Sequence, residues 1–187
     1  ADIKGPGKAV GPYFDETPLK DSLGATLQEL QLDGDVNARL HLDIPLNGEL
    51  VTAKGEVTLR NNSLFIKPLD STLKNLSGKF SFINGDLQSE PLTASWFNQP
   101  LNVDFSTKEG AKAYQVAVNL NGNWQPAKTG VLPVAVNEAL SGSVAWDGKV
   151  GIDLPYHAGA TYNVELNGDL KNVSSHLPSP LAKPAGE

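Results

Sequence analysis

Residues 34–46 read GDVNARLHLDIPL, and this stretch decides the fold class because apolar and polar side chains alternate along it. Side chains of a β-strand point to opposite faces in turn, so Val36, Leu42 and Leu46 share one face. At about 3.3 Å per residue, the strand predicted over residues 36–46 spans roughly 36 Å, which is long for a strand. The sequence therefore predicts one dry face, which another sheet, a helix or something other than protein must cover.

Length, charge and cysteine content exclude several classes of protein. The 187 residues suffice for one large domain or for part of a larger repeating structure. A formal net charge of −6 argues against a nucleic-acid partner and against charge-driven binding to anionic lipid head groups. The absence of cysteine excludes disulfides and thiolate chemistry. No apolar run reaches the length of a membrane span, and the first residues do not read as a signal peptide, so we expect any anchor to lie outside this chain.

The beginning of the chain has a helical pattern instead of an alternating one. In residues 17–30, TPLKDSLGATLQEL, leucines recur at helical spacing, Thr17 is a plausible N-cap and Pro18 occupies the first turn. This predicts an amphipathic helix, and a second, short helix is predicted over residues 134–140. The chain is thus divided into an N-terminal segment (1–33), an antiparallel β region (34–170) and a Pro-rich, extended tail (171–187).

From Gly34 onward the hydrophobic period is two, which is typical of strands. Asn84-Gly85 is the strongest short-range signal for a β-hairpin. Further turns are predicted at Asn61-Asn62, residues 97–100, Asn121-Gly122, Asp147-Gly148 and Asn167-Gly168. The expected fold class is therefore mainly β and antiparallel.

A weak internal repeat of glycine, a polar residue and an apolar residue runs through the chain. Its glycines are residues 34, 55, 78, 122, 142 and 168, with gaps of 21, 23, 44, 20 and 26 residues. Glycines precede strands in many β proteins, which is one reading of the pattern. The other is a sheet built by adding similar hairpins, as in solenoid-like repeat proteins.

Several motifs in a fixed order resemble the C-terminal AsmA-like region of the YhdP family of bacterial envelope proteins. They are GEVTLRNNSL (55–64), LKNLSGKFSFINGDL (73–87) and ASWFNQP (94–100), together with ALSGSVAW (139–146) and the tail LPSPLAKPAGE (177–187). The similarity covers nearly the whole chain, including GPGKAVGPYFDETPL near its start. One departure is Asn98, where a glycine is commoner in the family.

The resemblance implies a repeating β-groove: an antiparallel, twisted sheet curved into an open U-shaped groove, with one or two short helices. It also implies a non-catalytic segment of a periplasmic bridge protein that is anchored in the bacterial inner membrane. Such a segment shields acyl chains and supports phospholipid transport between the inner and outer membranes. The implied partners are phospholipid acyl chains, neighbouring groove repeats of the full-length protein, and inner- and outer-membrane envelope proteins; no cofactor is expected.

A groove for acyl chains requires strands with an unbroken aliphatic face, because each methylene group left in water costs about 0.8 kcal/mol. The residues expected to line such a groove are those on the dry faces of the clearest strands. They are Val36, Leu40, Leu42, Ile44, Val57, Leu59, Phe80, Phe82, Leu101, Val103, Val116, Val118, Ile152 and Leu154.

Three other interpretations remain open at this point. A closed β-sandwich or barrel would use the same alternation to fill its own core. An interaction or assembly module for outer-membrane proteins would act through exposed sheet edges. An enzyme is the weakest interpretation, because His41, His157 and His176 accompany no nucleophile elbow, metal-ligand cluster or phosphate loop. The three tryptophans, at positions 96, 124 and 146, could stack on sugars, but their apolar positions favour core packing.

Overall fold

The computed structural model describes residues 1–9, 29–47 and 51–186. The helix predicted over residues 17–30 lies outside these ranges except at its end. There Glu29 is helical, as predicted, whereas Leu30 already begins a strand that pairs with residues 63–66.

The described residues are mostly strand, with little helix. The strands are β1 Asp2–Pro6, β2 Leu30–Asp33, β3 Asp35–Asp43, β4 Thr52–Ile66, β5 Ser71–Ile83, β6 Asp86–Ser89, β7 Leu92–Trp96, β8 Gln99–Glu109, β9 Ala113–Trp124, β10 Leu140–Gly142, β11 Val144–Pro155, β12 Thr161–Asp169 and β13 Val173–Ser175. The helix α1, Val134–Ala139, confirms the short helix predicted over residues 134–140. Short 3-10 helices occupy Gly7–Ala9, Lys67–Leu69 and Pro126–Lys128.

Eleven of these strands form one antiparallel sheet. Its order is β1-β3-β4-β5-β6-β8-β9-β11-β12, with β2 beside β4 and with β7 between β5 and β8. β10 and β13 form a separate two-stranded sheet. The strands before residue 34 thus belong to the same sheet as those after it, while the division of the chain at residues 33 and 170 stays a prediction. Within the described ranges β1 and β12 are not paired with each other, so the sheet is open.

The sheet is curved, which follows from where its buried side chains lie. The main hydrophobic cluster contains Val36 of β3, Leu59 of β4, Leu92 of β7 and Leu101 of β8. These strands are not all neighbours, and no second large sheet packs on them in the described part of the chain. Side chains on one face of a single sheet can bury one another only if the sheet bends toward that face. The mainly antiparallel, curved β fold is confirmed, and the closed sandwich is wrong for the part of the chain that the structure describes.

The strand predicted over residues 36–46 is shorter in the structure. β3 ends at Asp43, so Ile44 and Leu46 lie beyond it, with Ile44 63% exposed and Leu46 fully exposed. Pro45 explains the difference, because proline has no N–H to donate to a neighbouring strand.

Asn61-Asn62 forms a bulge where the sequence predicted a turn. β4 continues to Ile66, while Asn61 has a φ of 54° and the register against β5 shifts on both sides of Asn62. The side chain of Asn62 is fully buried; its amide donates to the carbonyls of Asp33 and Asp35, both at 3.1 Å. Its Oδ1 accepts the N–H of Arg60 at 2.8 Å. These three bonds replace ladder bonds that the bulge removes.

The Asx-Gly pairs do not all behave alike. Asn84-Gly85 does connect β5 to β6, as predicted. Phe97 and Asn98, with φ values of 48° and 58°, form a two-residue type I′ hairpin turn between β7 and β8. The turns predicted at residues 121–122, 147–148 and 167–168 are wrong, because these residues lie inside β9, β11 and β12 and pair across these strands.

We predict that Asn62→Ala lowers the free energy of unfolding by about 2–4 kcal/mol, because it leaves two carbonyls and one N–H without partners. Urea denaturation of the 187-residue chain measures this. The matched control is Asn61→Gly, which relieves a left-handed φ and keeps the bond from the Asn61 N–H to Ser77. A loss of stability in the control equal to that in Asn62→Ala would contradict this role of the Asn62 side chain.

Candidate functional site

The register places the apolar side chains of successive strands directly opposite one another on one face. Val57 of β4 lies opposite Ala38 of β3 and Phe80 of β5. Farther along the sheet, Val118 of β9 lies opposite Phe105 of β8 and Val150 of β11. Directly opposite residues share a face in an antiparallel sheet. We call this continuous surface the inner face, since the sheet bends toward it.

The structure brings the predicted groove residues together on the inner face. Thirteen of the fourteen lie at inner positions of β3, β4, β5, β8, β9 and β11, and Ile44 lies just beyond the end of β3. They differ in exposure. Val36, Leu59, Leu101, Val103 and Val116 are buried against other side chains. Leu40, Val57, Phe80, Phe82, Val118, Ile152 and Leu154 are half-buried, while Leu42 and Ile44 are exposed.

Exposure of the inner face rises toward the two ends of the sheet. Leu101, on the central strand β8, is 2% exposed. Toward β1, Val36 of β3 is still buried, while the exposed fraction reaches 50% at Ile3 on β1; along β3 itself it rises to 49% at Leu42. Toward β12 it reaches 66% at Val164 and 68% at Leu166. The inner face is therefore filled by its own side chains in the middle and left open at both ends.

The exposed apolar residues of β12 belong to the same surface, although the prediction omitted them. Tyr162, Val164 and Leu166 lie opposite Ile152, Val150 and Gly148. The alternation of residues 162–166 in the sequence was the signal that could have identified them. Every residue of β12 is exposed, because β12 is an edge strand with no neighbour on its outer side in the described chain.

A small set of buried hydroxyl groups interrupts the apolar surface near the ends of β8 and β9. Tyr114 has no exposed surface; its hydroxyl donates to the carbonyl of Gly85 at 2.7 Å and lies 2.8 Å from Oγ1 of Thr107. Thr107 Oγ1 in turn accepts the N–H of Leu87 at 2.8 Å, and Ser89 Oγ accepts that of Phe105 at 2.7 Å. Burial raises the pKa of Tyr114 to about 12. These groups join β6 to β8, between which only one residue pair is in register.

Four aromatic rings lie along one margin of the inner face, at the ends of β7 and β9 and near the start of β11. Trp96 stacks on Phe97 with ring centroids 4.8 Å apart, and it meets Trp124 edge-on at 6.2 Å. Trp124 meets Trp146 edge-on at 4.7 Å. We call these four residues the aromatic ladder. The three tryptophans pack against the hydrophobic cluster, which agrees with the core-packing interpretation of the tryptophans.

The outer face is polar and carries the charges. Amide and carboxylate side chains pair across its strands, as in Asn119 Nδ2 to Asp104 Oδ1 at 2.8 Å and Gln115 Nε2 to Asp153 Oδ1 at 2.8 Å. At the end of β3, hydrogen bonds from Lys54 and then from His41 hold the pKa of Asp43 below its usual value. The sheet is therefore apolar on one face only.

Neither catalysis nor metal binding gains support from the arrangement of polar residues. His41 lies on the outer face and contacts Asp43, and the carboxylate of Asp153 accepts a hydrogen bond from Gln115. In the described ranges no group of three or more histidine or acidic side chains could hold a metal ion. Among the described helices, none combines the length and apolarity needed to cross a bilayer.

Fold and inner face together define a β-groove protein: one curved antiparallel sheet, polar outside, with a continuous apolar surface inside. The chain belongs to the YhdP family, since the family model described as "YhdP protein" matches residues 1–187. It is also 98% identical over all 187 residues to a curated Escherichia coli (strain K12) protein, "Intermembrane phospholipid transporter YhdP". The chain spans 15% of the length of that relative. No solved structure matches the chain.

We predict that Tyr114→Phe destabilises the fold at neutral pH by about 1–3 kcal/mol, because Gly85 and Thr107 lose a buried partner. The raised pKa means that the folded state favours the neutral phenol of Tyr114. The contribution of this phenol to the free energy of unfolding is therefore complete below about pH 10 and is lost as the pH rises toward about 12. The difference in unfolding free energy between the two proteins should therefore shrink over that range. Urea denaturation at several pH values measures it.

The control is Tyr162→Phe, which alters an exposed tyrosine on the same face and should leave the pH dependence of the parent chain unchanged. If Tyr114→Phe lost stability between pH values near 10 and 12 as steeply as the parent chain, the buried phenol would not be the cause.

Proposed function

We propose that the chain is a non-catalytic groove segment that shields phospholipid acyl chains during transport between the two membranes of a bacterial envelope. The observation that carries the proposal is the continuous inner face, which stays open at its ends in a chain of the YhdP family. The curated relative is named as an intermembrane phospholipid transporter, and a transporter of lipids needs a surface of this kind.

The energetic argument rests on the cost of wetting hydrocarbon. Each exposed methylene of a lipid costs about 0.8 kcal/mol, so two acyl chains crossing an aqueous space need continuous apolar contact. The inner face supplies apolar side chains from β3 to β12, and the hydroxyl groups that interrupt it near Tyr114 are buried and bonded within the protein. An open side lets the charged head group remain in water while the chains lie against the sheet.

The predicted groove residues divide into two roles under this proposal. The five buried ones, with Leu59 and Leu101 as examples, fill the bend of the sheet and hold its curvature. The half-buried and exposed ones, such as Leu42, Val118 and Ile152, contact the acyl chains. The β12 residues Tyr162, Val164 and Leu166 join this second group.

The edges of β1 and β12, which are unpaired within the described residues, fit the position of this chain within a longer protein. Because the chain spans 15% of its curated relative, β1 and β12 are the places where neighbouring groove repeats would continue the sheet. The location follows from the function: a groove between two membranes works in the periplasm, with its inner-membrane anchor elsewhere in the polypeptide.

A second candidate function, an assembly module for outer-membrane proteins, is favoured by one observation. β12 presents a nine-residue edge, and an exposed edge can recruit a partner strand through its backbone groups. Such a module depends on backbone hydrogen bonds, whereas the groove depends on apolar side chains. A charged residue on the inner face of β12 therefore separates the two functions, since it leaves the edge backbone in place.

We predict that Leu42→Asp and Val164→Asp abolish lipid binding without unfolding the sheet, because both side chains are already exposed while a carboxylate among acyl chains is poorly solvated. Val118→Asp, at a half-buried position, should also block the groove, at a cost in stability. Native mass spectrometry of the purified chain reports co-purified phospholipid, and phospholipid flux in cells carrying the full-length protein reports transport.

The matched controls, Asn163→Asp and Ala117→Asp, add the same charge to the outer face of β12 and β9, beside Val164 and Val118. They should bind and transport lipid normally. Folded Leu42→Asp and Val164→Asp variants with normal lipid flux would refute the groove proposal. Normal flux together with normal assembly of outer-membrane proteins in these variants would favour the second candidate, because the edge backbone of β12 is intact in them.

A further inference from the structure

The inner face is not uniform along its strands. At one margin lies the aromatic ladder, and moving along β9 and β11 away from it the side chains become aliphatic: Leu120, Val118 and Val116 on β9, then Val150 and Ile152 on β11. A surface that changes from indole rings to aliphatic side chains in one direction can distinguish the two ends of an acyl chain.

Glycines lie at the boundary between the aromatic ladder and the aliphatic side chains of β9 and β11. Gly122 of β9 and Gly168 of β12 flank Trp146 on either side. A Cβ at Gly122 would lie 2.8 Å from Nε1 of Trp124 and 3.0 Å from Nε1 of Trp146, and one at Gly148 would lie 3.5 Å from the Trp146 ring. The indole of Trp146 therefore lies close over the backbone of Gly122 and Gly148.

The polar atoms differ between the two margins. At the margin opposite the ladder, the hydroxyl of Tyr114 donates to Gly85 O and that of Tyr156 donates to Gly110 O. On the ladder, Trp96 donates to Ser71 Oγ and Trp124 donates to Pro100 O. The buried indole N–H of Trp146 has no acceptor within the described part of the chain.

We propose, on the basis of the function proposed above, that the aromatic ladder holds the glycerol-ester region of a phospholipid, with the acyl chains extending from it toward the opposite margin. Indole rings favour the zone where hydrocarbon meets polar head groups, because they combine an apolar ring with an N–H donor. The indole N–H groups of the ladder are buried or bonded within the protein, so the half-buried rings themselves supply this contact. All lipids in the groove would then have the same orientation, with head groups along one margin.

The dimensions fit this orientation. The eight-residue step from Trp146 to Leu154 on β11 covers about 26 Å at 3.3 Å per residue. The hydrocarbon of one leaflet is about half of the roughly 30 Å core of a bilayer. An acyl chain that starts at the ladder therefore ends within the aliphatic zone of the same strand.

The protein carries its own reporter, because its three tryptophans are all members of the ladder. The 187-residue chain is loaded from neutral vesicles with phosphatidylcholine that carries a nitroxide either beside the ester or at the methyl end of one acyl chain. Bound lipid is measured by mass spectrometry, and tryptophan quenching is compared at equal loading. Since nitroxides quench at short range, we expect the ester-side label to quench at least about twofold more strongly.

Two variants make the comparison specific. Trp96→Phe combined with Trp124→Phe leaves Trp146 as the single reporter and should preserve the preference for the ester-side label. A control with all three tryptophans replaced by phenylalanine and with Ala117→Trp moves the reporter to the outer face, where quenching should be weak for both labels.

The outcomes separate this inference from the function on which it rests. Equal quenching, stronger quenching by the methyl-end label, or bound lipid without quenching would overturn the orientation and leave the groove function standing. Failure to bind either lipid would overturn the groove function, and the orientation with it.

Discussion

The structure depends on one constraint: a single sheet carries apolar side chains on one face and has no second large layer to cover them in the described part of the chain. Apolar burial is the main favourable term in folding, so such a sheet gains stability only by bending until its inner side chains meet. Leu59, Leu92 and Leu101 reach nearly complete burial in this way, although they come from three different strands. The rings of Phe80 and Phe105, 5.6 Å apart, show the same contact across the bend.

The same constraint explains why the outer face is so regularly polar. A bent sheet exposes its convex face to water. If that face were also apolar, the sheet could bury either face, so polar side chains on the outer face are needed to specify the direction of the bend. Cross-strand pairs such as Asn102 with Asn121 at 3.0 Å and Lys79 with Glu56 at 3.0 Å occupy these positions. They contribute little stability singly, because they are exposed, but they fix which face turns inward.

The period-two pattern was enough to predict the class of the fold and the face on which the groove residues lie, because alternation alone sets the face of each residue. The turns were less predictable. Asn84-Gly85 is a turn, but Asn121-Gly122 and Asn167-Gly168 lie inside strands, where a Cβ at Gly122 would meet Trp124 and Trp146 and one at Gly168 would meet Val144. These close contacts appear only once β9, β11 and β12 are in register. Likewise, the sequence could not tell buried Leu101 from exposed Leu42, since both are apolar residues on alternating strands and only the curvature separates them.

The change in exposed fraction along the inner face, from one strand to the next, distinguishes a groove from a closed hydrophobic core. In a closed sandwich a second sheet covers the inner face, so burial falls mainly at the loops and at the outermost strands. Here it falls from strand to strand across the sheet, from Leu101 to Val164, while the alternation of apolar side chains continues unchanged. An apolar surface of this kind is costly in water and is retained in proteins mainly where something else covers it. Both outermost strands, β1 and β12, show this exposure on the inner face. The apolar surface is therefore suited to be covered by a bound apolar guest, such as a long hydrocarbon chain, or to be extended by further strands at either edge.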